Sequence, residues 1–352
     1  MNESSDHPVL FITGGAGFVG RAILRELSKD NPVFSPREIR IFDRQPLRME
    51  KVFSHLPINV IEGDVRDAGS LVDASSGADI ALHLAALIDW GTHPVKEVFD
   101  INLEGTRNVI AACRKNRIPT LVSTSSLDAI FPGHDLLDAD ETTPYPQPFT
   151  GPYAESKAAA EQLVQAANGD GLATSVIRPS GIWGEADPYH LANLAGMAKS
   201  GLFVKIGSAK TRCMNIYVGN VAHGHLLLAK ALREGNPAVR GQVYFLVDSP
   251  GANFFDFLSP VIEEAGLRIQ PRNLRIPGWA LVPFALLAEG AAFLLRPIHR
   301  FHPPLSRFAL SYICSDFTLK GDRAVRDFQF APAYTVEEAK HRTGAWFREN
   351  GI

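Results

Sequence analysis

The chain has 352 residues, a net charge of −3, and ordinary hydrophobic and charged contents of 45% and 21%. This length exceeds that of a typical single core, so one large domain with an added lobe is expected. The small net charge excludes a general binder of polyanions and predicts no nucleic-acid partner. Three cysteines without a CxxC pair favour a reducing compartment, without a disulfide framework and without a metal site.

Short apolar runs alternate with helical patterns from the N-terminus to about residue 187, which is typical of a parallel sheet covered on both faces. The predicted strands lie in 8–13, 38–44, 58–67, 78–87, 120–126 and 173–184, and the main predicted helices in 21–30, 102–116 and 153–168. The predicted fold is therefore α/β, a Rossmann-type doubly wound parallel sheet over residues 1–187. Residues 188–352 are predicted to form a smaller C-terminal substrate-binding lobe that partly returns to the core.

A glycine-rich segment follows the first predicted strand. Gly14, Gly17 and Gly20 have the G-x-x-G-x-x-G spacing between a strand and the helix predicted over 21–30, and Phe18 and Val19 in the same segment are further candidate cofactor contacts. Such glycines permit a tight turn, close approach of the backbone to a phosphate and close packing of helix on strand. The helix N-terminus adds N–H groups and a partial positive charge, so the segment predicts a dinucleotide site.

The second predicted strand ends at Asp43, close to the spacing expected for the acidic residue that binds the adenosine ribose. Its carboxylate accepts hydrogen bonds from both ribose hydroxyls of NAD and repels the 2′-phosphate of NADP. We therefore predict NAD, and we keep NADP open because Arg44 follows directly and an arginine there pairs with that phosphate.

Further cofactor contacts are predicted where later strands end, because these ends meet at one edge of a parallel sheet. Asp64 is a candidate for the adenine amino group, and the small Ala85 and Ala86 allow close approach of the backbone. Asn102 opens a predicted helix and is equally interpretable as a cap. The full set of these candidates is Asp64, Val65, Leu84, Ala85, Ala86, Asn102, Thr124, Pro179, Gly181 and Ile182.

Tyr153 and Lys157 are four positions apart in a predicted helix and thus share one face. A cation near a phenol favours the phenolate, so we expect a lowered pKa for Tyr153 and a group that exchanges protons near neutral pH. The alternative is a packed tyrosine and a solvated lysine.

The motifs together resemble the extended short-chain dehydrogenase/reductase superfamily. "TGGAGFVG", a strand ending at Asp43, "STSS" and Tyr153-x-x-x-Lys157 carry that resemblance. "AALIDWG", "IRPSGIWGEAD", "YVGNVAHGHLLLAKAL", "RGQVYFLVDSP" and "FLLRPIHRFHPPLSRF" narrow it to the 3β-hydroxysteroid dehydrogenase/isomerase family over nearly the whole chain.

This resemblance implies oxidation of the 3β-hydroxyl of a steroid or sterol to a 3-ketone. It places the catalytic serine on Ser126, with Ser125 the neighbour that competes for the role, and adds Tyr153 as general base. Lys157 is implied to bind the nicotinamide ribose and keep Tyr153 acidic. Asp248 matches an acidic family position, but Ser249 replaces the second acid often found there; we interpret Asp248 as a cap and leave the isomerase activity open.

Several alternatives stay open. The substrate is a plain 3β-hydroxysteroid or a sterol 4α-carboxylate whose 3-ketone loses CO2; a reductase of β-keto acids and a non-catalytic NAD-sensing protein are further alternatives. Helices around "GTRNVIAAC" and "ESKAAAEQLV" are implied to pair in a homodimer.

The N-terminus shows no basic region followed by a long apolar run, so we expect no secretory signal and a cytoplasmic chain.

One segment departs from a soluble pattern. Residues 279–295 are apolar except for Glu289, and Arg296, His299, Arg300, His302 and Arg307 follow closely. A basic flank beside an apolar helix suits peripheral membrane association through 279–307. A helix buried over the substrate site is an equal alternative, and a membrane span is a third.

Overall fold

The computed structural model describes residues 7–295, 303 and 305–351. Its strands are β1 Val9–Thr13, β2 Glu38–Asp43, β3 Ile58–Glu62, β4 Ile80–His83, β5 Thr120–Thr124, β6 Leu136–Ala139, β7 Ala173–Ile177, β8 Gly181–Trp183, β9 Lys205–Ile206, β10 Asn215–Tyr217, β11 Gln242–Tyr244, β12 Arg275–Ile276 and β13 Phe317–Leu319.

The α-helices of the described residues cover both faces of the sheet and much of the remaining chain. They are α1 Phe18–Leu27, α2 Ala68–Ser75, α3 Val95–Phe99, α4 Gly105–Lys115, α5 Pro152–Ala166, α6 His190–Lys199, α7 Val218–Arg233, α8 Phe254–Glu264, α9 Gly278–Leu295, α10 Arg307–Cys314, α11 Asp322–Phe328 and α12 Val336–Asn350.

The central sheet is parallel and has seven strands in the order β11-β7-β5-β4-β1-β2-β3. The order reverses at β1, which pairs with β2 on one side and β4 on the other. This topology confirms the predicted Rossmann-type doubly wound fold. Ligands of such sheets bind at the carboxyl ends of the strands near the reversal, and the predicted site residues follow those ends.

The apolar side chains of β1 explain the layers, because successive residues of a strand point to opposite faces. Leu10 and Ile12 belong to a core shared with α1 and α7, whereas Phe11 belongs to a second core shared with α2, α4 and α5. The sheet is therefore buried on both sides, which accounts for its continuous apolar strands.

The chain returns to this sheet after residue 187. Helix α7 packs against α1, and β11 adds the seventh strand beside β7. The short strand pairs β8–β10, β9–β12 and β6–β13 lie outside the central sheet. A separate apolar core under the last of these pairs includes Phe131, Phe245 and Phe317.

Two predicted elements differ from the structure. The helix expected to begin at Asn102 begins at Val95 and continues through a π-helical turn, Asp100–Glu104, into α4. The sixth predicted strand ends at Ile177, and residues 178–180 separate it from β8. The chain leaves the central sheet there because β8 pairs with β10 instead.

Helix α9 is long and apolar enough to cross a membrane, with a mean hydropathy of 1.7. Ala285 is the only buried residue among those of α9, and Trp279 and Leu294 are 78% and 76% exposed. The structure thus does not support a helix buried over the substrate site. Arg296, His299, Arg300 and His302 lie outside the described residues, whereas Arg307 pairs with Glu289 at 2.8 Å.

A buried ion pair joins α5 to the loop after β7. The side chains of Glu161 and Arg178 are 0% and 2% exposed, and Arg178 donates to both carboxylate oxygens of Glu161, with Nε at 3.0 Å. The Tyr145 hydroxyl donates to the same carboxylate at 2.7 Å. Because two charges are paired in the interior, removing one leaves the other without compensation.

We therefore expect Arg178→Met to lower the free energy of unfolding by about 3–5 kcal/mol, the typical cost of breaking a buried pair. Denaturant unfolding measures this change. The double variant Glu161→Leu/Arg178→Met should recover part of the loss, because it leaves no unpaired charge.

The matched control is Arg107→Met, which breaks the exposed pair between Glu104, at the end of the π-helical turn, and Arg107 on α4. Exposed pairs contribute about 0–1 kcal/mol. Equal effects of Arg178→Met and Arg107→Met would contradict the importance of the buried pair.

Candidate active site

The glycine-rich loop after β1 lies directly against the loop after β4. Gly14 has a φ of +71°, and a Cβ there would lie 2.6 Å from the backbone nitrogen of Ala85. Only glycine fits both constraints. Gly14 and Ala85 are thus neighbours, and Leu84 joins the same contact through the hydrogen bond from its N–H to the carbonyl of Thr13, at 3.0 Å.

Helix α1 begins at Phe18 after the N-cap Gly17. A Cβ on Gly20 would lie 2.3 Å from the carbonyl oxygen of Gly15, so this glycine permits the helix to approach the loop. The first-turn N–H groups of Phe18 and Val19 have no partners within the helix, because the first N–H groups of an α-helix lack intrahelical acceptors. The arrangement has the form of a pyrophosphate site.

Asp43 ends β2 beside this loop. Its carboxylate accepts hydrogen bonds from the N–H of Ala16 and of Gln45, both at 3.0 Å. The side chain therefore fixes the glycine-rich loop while remaining partly exposed. Its place at the carboxyl end of β2 is compatible with the predicted ribose contact.

Asp64 is engaged by two arginines. Its carboxylate pairs with Arg66 at 2.6 Å and with the exposed Arg44 at 3.5 Å. The Arg66 hydrogen bond holds the pKa of Asp64 below its ordinary value. The neighbouring Val65 is buried, and its carbonyl accepts from the Asn108 amide at 3.0 Å. The predicted adenine contact of Asp64 thus competes with an ion pair.

Asn102 is not a helix cap. It is buried in the π-helical turn, where its amide accepts from the N–H of Leu87 at 2.7 Å and donates to the carbonyl of Leu87 at 3.0 Å. It also donates to Ser156 on α5 at 3.0 Å. Asn102 thereby fixes the loop that contains Ala85 and Ala86 relative to α5.

Tyr153 and Lys157 are both buried on α5 and face the ends of the strands. The Lys157 ammonium donates to the carbonyl of Thr124, the last residue of β5, at 2.6 Å. Burial lowers the pKa of Lys157 to about 8, and Glu161 opposes this effect. The Thr124 hydroxyl bonds to the His225 ring at 2.7 Å, so the end of β5 is fixed from two directions.

The expected lowering of the Tyr153 pKa is wrong for this structure. Burial raises the pKa of Tyr153 well above its ordinary value, and the carboxylate of Asp128 raises it further; a hydrogen bond with Ser126 opposes both. The spacing correctly places the lysine one helical turn from the tyrosine. However, the Lys157 ammonium points to Thr124, and the loss of solvent around the phenol has the larger effect on the pKa of Tyr153.

The serine-rich loop after β5 presents Ser126 to the phenol of Tyr153. Ser126 is partly exposed, and its hydroxyl donates to Asp128 Oδ2 at 2.9 Å while accepting from the Asp128 N–H at 3.2 Å. Ser125 is buried, and its hydroxyl has no partner among the described residues. The geometry therefore favours Ser126 over Ser125.

The loop after β7 completes the same edge. The carbonyl of Pro179 accepts from the N–H of Leu127 at 2.9 Å. Gly181 begins β8, where a Cβ would lie 2.4 Å from the Asn215 side chain. Ile182 is partly exposed, and its carbonyl bonds to the His190 ring at 3.1 Å. Pro179 therefore adjoins the serine-rich loop, whereas Gly181 and Ile182 contact Asn215 and His190.

Aromatic side chains lie on two sides of Tyr153, and the sequence analysis did not identify them. Tyr189 is close enough to raise the pKa of Tyr153 and packs edge-on against Trp90, with ring centroids 5.8 Å apart. On another side, Tyr312 of α10 packs against Phe131 with ring centroids 5.5 Å apart and interacts with Tyr153. The phenol of Tyr153 therefore has aromatic neighbours as well as Ser126.

The carboxylate of Asp248 is occupied by hydrogen bonds at the start of α7. It accepts from the N–H of Tyr217 at 2.8 Å and from the Asn220 amide at 2.9 Å, at the start of α7. Asp248 is thus a helix-terminal anchor.

The doubly wound sheet, the glycine-rich loop before α1 and the Ser126, Tyr153 and Lys157 side chains at one edge define an oxidoreductase of the extended short-chain dehydrogenase/reductase class. Solved structures share the fold. The crystal structure of gox2253 is 26% identical, covers 98% of this chain and 99% of that one, and has a TM-score of 0.75. DesIV, a dTDP-glucose 4,6-dehydratase from Streptomyces venezuelae solved with NAD, is 19% identical over 97% of each chain with a TM-score of 0.71.

The chain belongs to the 3-beta hydroxysteroid dehydrogenase/isomerase family, whose profile matches residues 11–276. The mouse protein "3 beta-hydroxysteroid dehydrogenase type 7" is 35% identical and covers 98% of both chains. Its human counterpart is also 35% identical and covers 96% of this chain and 95% of the relative. Family membership confirms the expected class of activity, an NAD-dependent oxidoreductase acting on a CH–OH group.

We predict that Gly14→Ala weakens NAD binding about tenfold or more, because the added methyl group forces the glycine-rich loop away from Ala85 and ~1.4 kcal/mol of lost contact is a factor of ten. Calorimetric titration with NAD measures the dissociation constant.

Gly77→Ala is the matched control, since Gly77 has the same φ of +71° but no atom within 4 Å of an added Cβ. Both variants carry the left-handed backbone penalty of ~1–2 kcal/mol. If the two variants bound NAD equally well, the close contact of the loops would not matter for the cofactor.

Proposed function

We propose that this protein oxidises the 3β-hydroxyl of a steroid or sterol to a 3-ketone with NAD. The observation that carries the proposal is the convergence of Ser126, Tyr153 and Lys157 beside the glycine-rich loop, bordered by aromatic side chains. The relatives named for 3β-hydroxysteroid dehydrogenation support the substrate class.

The residues fit the cofactor that the family uses. Gly14, Gly17 and Gly20 leave space for a pyrophosphate before α1, and Asp43 ends β2 where a ribose is held. NAD, when bound, supplies the hydride acceptor and a positively charged ring. We favour NAD over NADP because Arg44 is turned to Asp64 and Asp43 repels a 2′-phosphate.

Tyr153 acts as the general base and takes the proton of the 3-hydroxyl. Its raised pKa means that the phenolate needs stabilisation beyond what the free site supplies. The Ser126 hydroxyl supplies part of it, since their hydrogen bond lowers the pKa of Tyr153. Lys157 adds a buried cation one turn away and binds the ribose.

The nearest alternative substrate is a sterol 4α-carboxylate, whose 3-ketone product loses CO2. The chemistry at Tyr153 is the same, so measuring CO2 release from sterols with and without a 4-carboxylate separates the two. A β-keto acid reductase and a non-catalytic NAD sensor are weaker alternatives, because a serine, a tyrosine and a lysine remain together at the site.

We expect the purified protein to reduce NAD in the presence of a 3β-hydroxysteroid, and Tyr153→Phe to lower kcat by about 10²–10⁴, the usual contribution of a positioned acid–base group. The absorbance of reduced nicotinamide measures the rate over a panel of steroids with NAD and with NADP. NAD binding should persist, because the ring remains.

The control is Tyr334→Phe, which removes a hydroxyl that donates to Glu26 on α1 at 2.6 Å. It should leave kcat near that of the wild type. Full turnover by Tyr153→Phe would refute the role of the phenol.

We also propose that the protein associates peripherally with a membrane through residues 279–307. A helix that is apolar all around lies either in a core or in a membrane, and α9 is outside the core. An insoluble sterol would then reach the protein from the bilayer. Pairing of two copies through α4 and α5 also remains a proposal.

The membrane proposal predicts that the wild-type protein sediments with phosphatidylcholine vesicles, whereas the double variant Leu287→Glu/Leu294→Glu stays in the supernatant. These residues are 71% and 76% exposed on α9, and two charges in an apolar environment oppose insertion. Vesicle co-sedimentation measures the shift.

Val325→Glu places a charge at an exposed apolar position of α11 and should leave co-sedimentation unchanged. A wild-type protein that stays in the supernatant, or equal behaviour of both variants, would contradict membrane association through α9.

A further inference from the structure

The residues that follow β2 and β3 lie beside each other at the edge of the sheet. The two strands are parallel neighbours that place Asp43 opposite Glu62, and the N–H of Gly63 donates to the carbonyl of Asp43 at 3.0 Å. Arg44 and Asp64 come directly after these contacts. They form an ion pair, with Arg44 Nε 3.5 Å from Asp64 Oδ2. The register of β2 and β3 therefore brings this arginine to a carboxylate of the neighbouring loop.

The carboxylate of Asp64 is held in one orientation by Arg66. The N–H of Arg66 donates to Oδ1 at 2.9 Å, and its guanidinium donates to Oδ2 at 2.6 Å. The hydrogen bond with Asp64 raises the pKa of Arg66, and the carboxylates of Glu97 and Asp100 raise it further. Arg66 thus has three acidic neighbours, whereas the ion pair of Arg44 among the described residues is the one with Asp64.

The side chain of Arg44 is free to turn to another anion. It is 58% exposed, against 24% for Asp64, and its contact is longer than the 2.6 Å contact of Arg66 with the same carboxylate. An exposed ion pair of this kind contributes little to stability, so breaking it costs little. A guanidinium matches the geometry of phosphate as well as that of carboxylate, through two parallel N–H donors. The position of Arg44 therefore depends on which anion is offered to it.

Asp43 adds a negative charge beside this pair. Its carboxylate accepts from the N–H groups of Ala16 and Gln45, and the arginine that follows it in the chain is engaged by Asp64. A phosphate monoester carries a charge of about −1.5 to −2 at neutral pH. While Arg44 pairs with Asp64, the 2′-phosphate of NADP meets the charge of Asp43 without that cation. NAD has only hydroxyls on this ribose and avoids the repulsion.

We infer that Asp64 is a specificity-determining residue of the cofactor site: it holds Arg44 on the β3 side, withholds that cation from the 2′-phosphate of NADP, and so maintains the preference for NAD. This inference rests on the proposed function, because it takes the adenosine ribose to lie at Asp43. Asp43 repels the phosphate directly, whereas Asp64 acts through Arg44 and is a positioning residue.

A direct contact of Asp64 with the adenine makes a different prediction. The adenine is identical in NAD and NADP, so the loss of such a contact weakens the binding of both dinucleotides by the same factor. Release of Arg44 strengthens the binding of the phosphorylated dinucleotide alone. The ratio of the two dissociation constants therefore separates these roles, and a merely structural role of Asp64 leaves that ratio unchanged.

The test is calorimetric titration of the wild type and of Asp64→Asn with NAD and with NADP, without steroid. Asparagine keeps the shape and an acceptor oxygen but removes the charge that attracts Arg44. We expect Asp64→Asn to bind NADP about 10- to 100-fold more tightly than the wild type does, the contribution of a hydrogen bond to a charged group, with NAD binding nearly unchanged. Asp64→Glu restores the charge and should keep the wild-type ratio. Adenosine 2′,5′-bisphosphate and 5′-AMP should repeat the difference without the nicotinamide half.

Two controls separate the role of Arg44 from a general loss of negative charge. The gain in NADP binding should disappear in Asp64→Asn/Arg44→Ala and persist in Asp64→Asn/Arg66→Ala. Glu62→Gln removes a charge from the exposed last residue of β3 and should leave the ratio of the two dissociation constants unchanged.

An unchanged ratio in Asp64→Asn, a gain that survives Arg44→Ala, or an equal gain in Glu62→Gln would overturn the inference, as would a wild type that binds both dinucleotides equally well. Persistent NAD binding shows that a variant is folded. Asp64→Ser repeats the test if Asp64→Asn does not bind NAD, and loss of NAD binding in both would also contradict the inference. A wild type that binds NAD but oxidises no 3β-hydroxysteroid would instead refute the proposed function, because the titrations do not depend on turnover.

Discussion

The hydrogen bond between the Lys157 ammonium and the carbonyl of Thr124 is the contact on which the site depends. It joins the helix that carries Tyr153 to the end of β5, directly before the loop that carries Ser126 and Asp128. A buried ammonium is unfavourable without partners, so this bond fixes α5 in one position relative to the strand. The Glu161–Arg178 pair one turn further along α5 fixes the same helix to the loop after β7. Phenol, serine and lysine are therefore held by the scaffold itself.

The parallel sheet explains why distant parts of the sequence meet. Every central strand runs in the same direction, so the loops after β1, β2, β4, β5 and β7 share one edge. The glycine-rich loop contacts the loop after β4 through Gly14 and Ala85, and that loop contacts α5 through Asn102 and Ser156. The predicted cofactor and catalytic residues are thus connected by short contacts between neighbouring loops, and no single element carries them all.

Local patterns and spacing predicted the features that depend only on residues close together in the sequence. The alternating strands and helices, Gly14, Gly17 and Gly20, and the shared face of Tyr153 and Lys157 belong to this group. The sign of the Tyr153 pKa shift was wrong because spacing gives the distance to a charge but not the burial of the phenol. A cap was an equal alternative for Asn102 because the sequence does not reveal the π-helical turn. Tyr312 lies more than 150 residues from Tyr153, and only the tertiary fold brings it near. Asp128, the hydrogen-bond partner of Ser126, could have been found, since it follows a strand end two residues after Ser126.

Helix α9 lies at the protein surface and is linked through α10 to the edge of the sheet where Tyr153 lies. Helix α9 exposes its apolar side chains, yet Glu289 within it accepts hydrogen bonds from the backbone and side chain of Arg307, the first residue of α10. Five residues later, Tyr312 packs against Phe131 and interacts with Asp128 and Tyr153. The Ser311 hydroxyl also donates to the carbonyl of Gly133 in the loop after β5. A bilayer surface that holds α9 would consequently lie next to the same helix that borders the reacting groups, so an apolar substrate could pass from lipid to the aromatic side chains around Tyr153 without crossing bulk water.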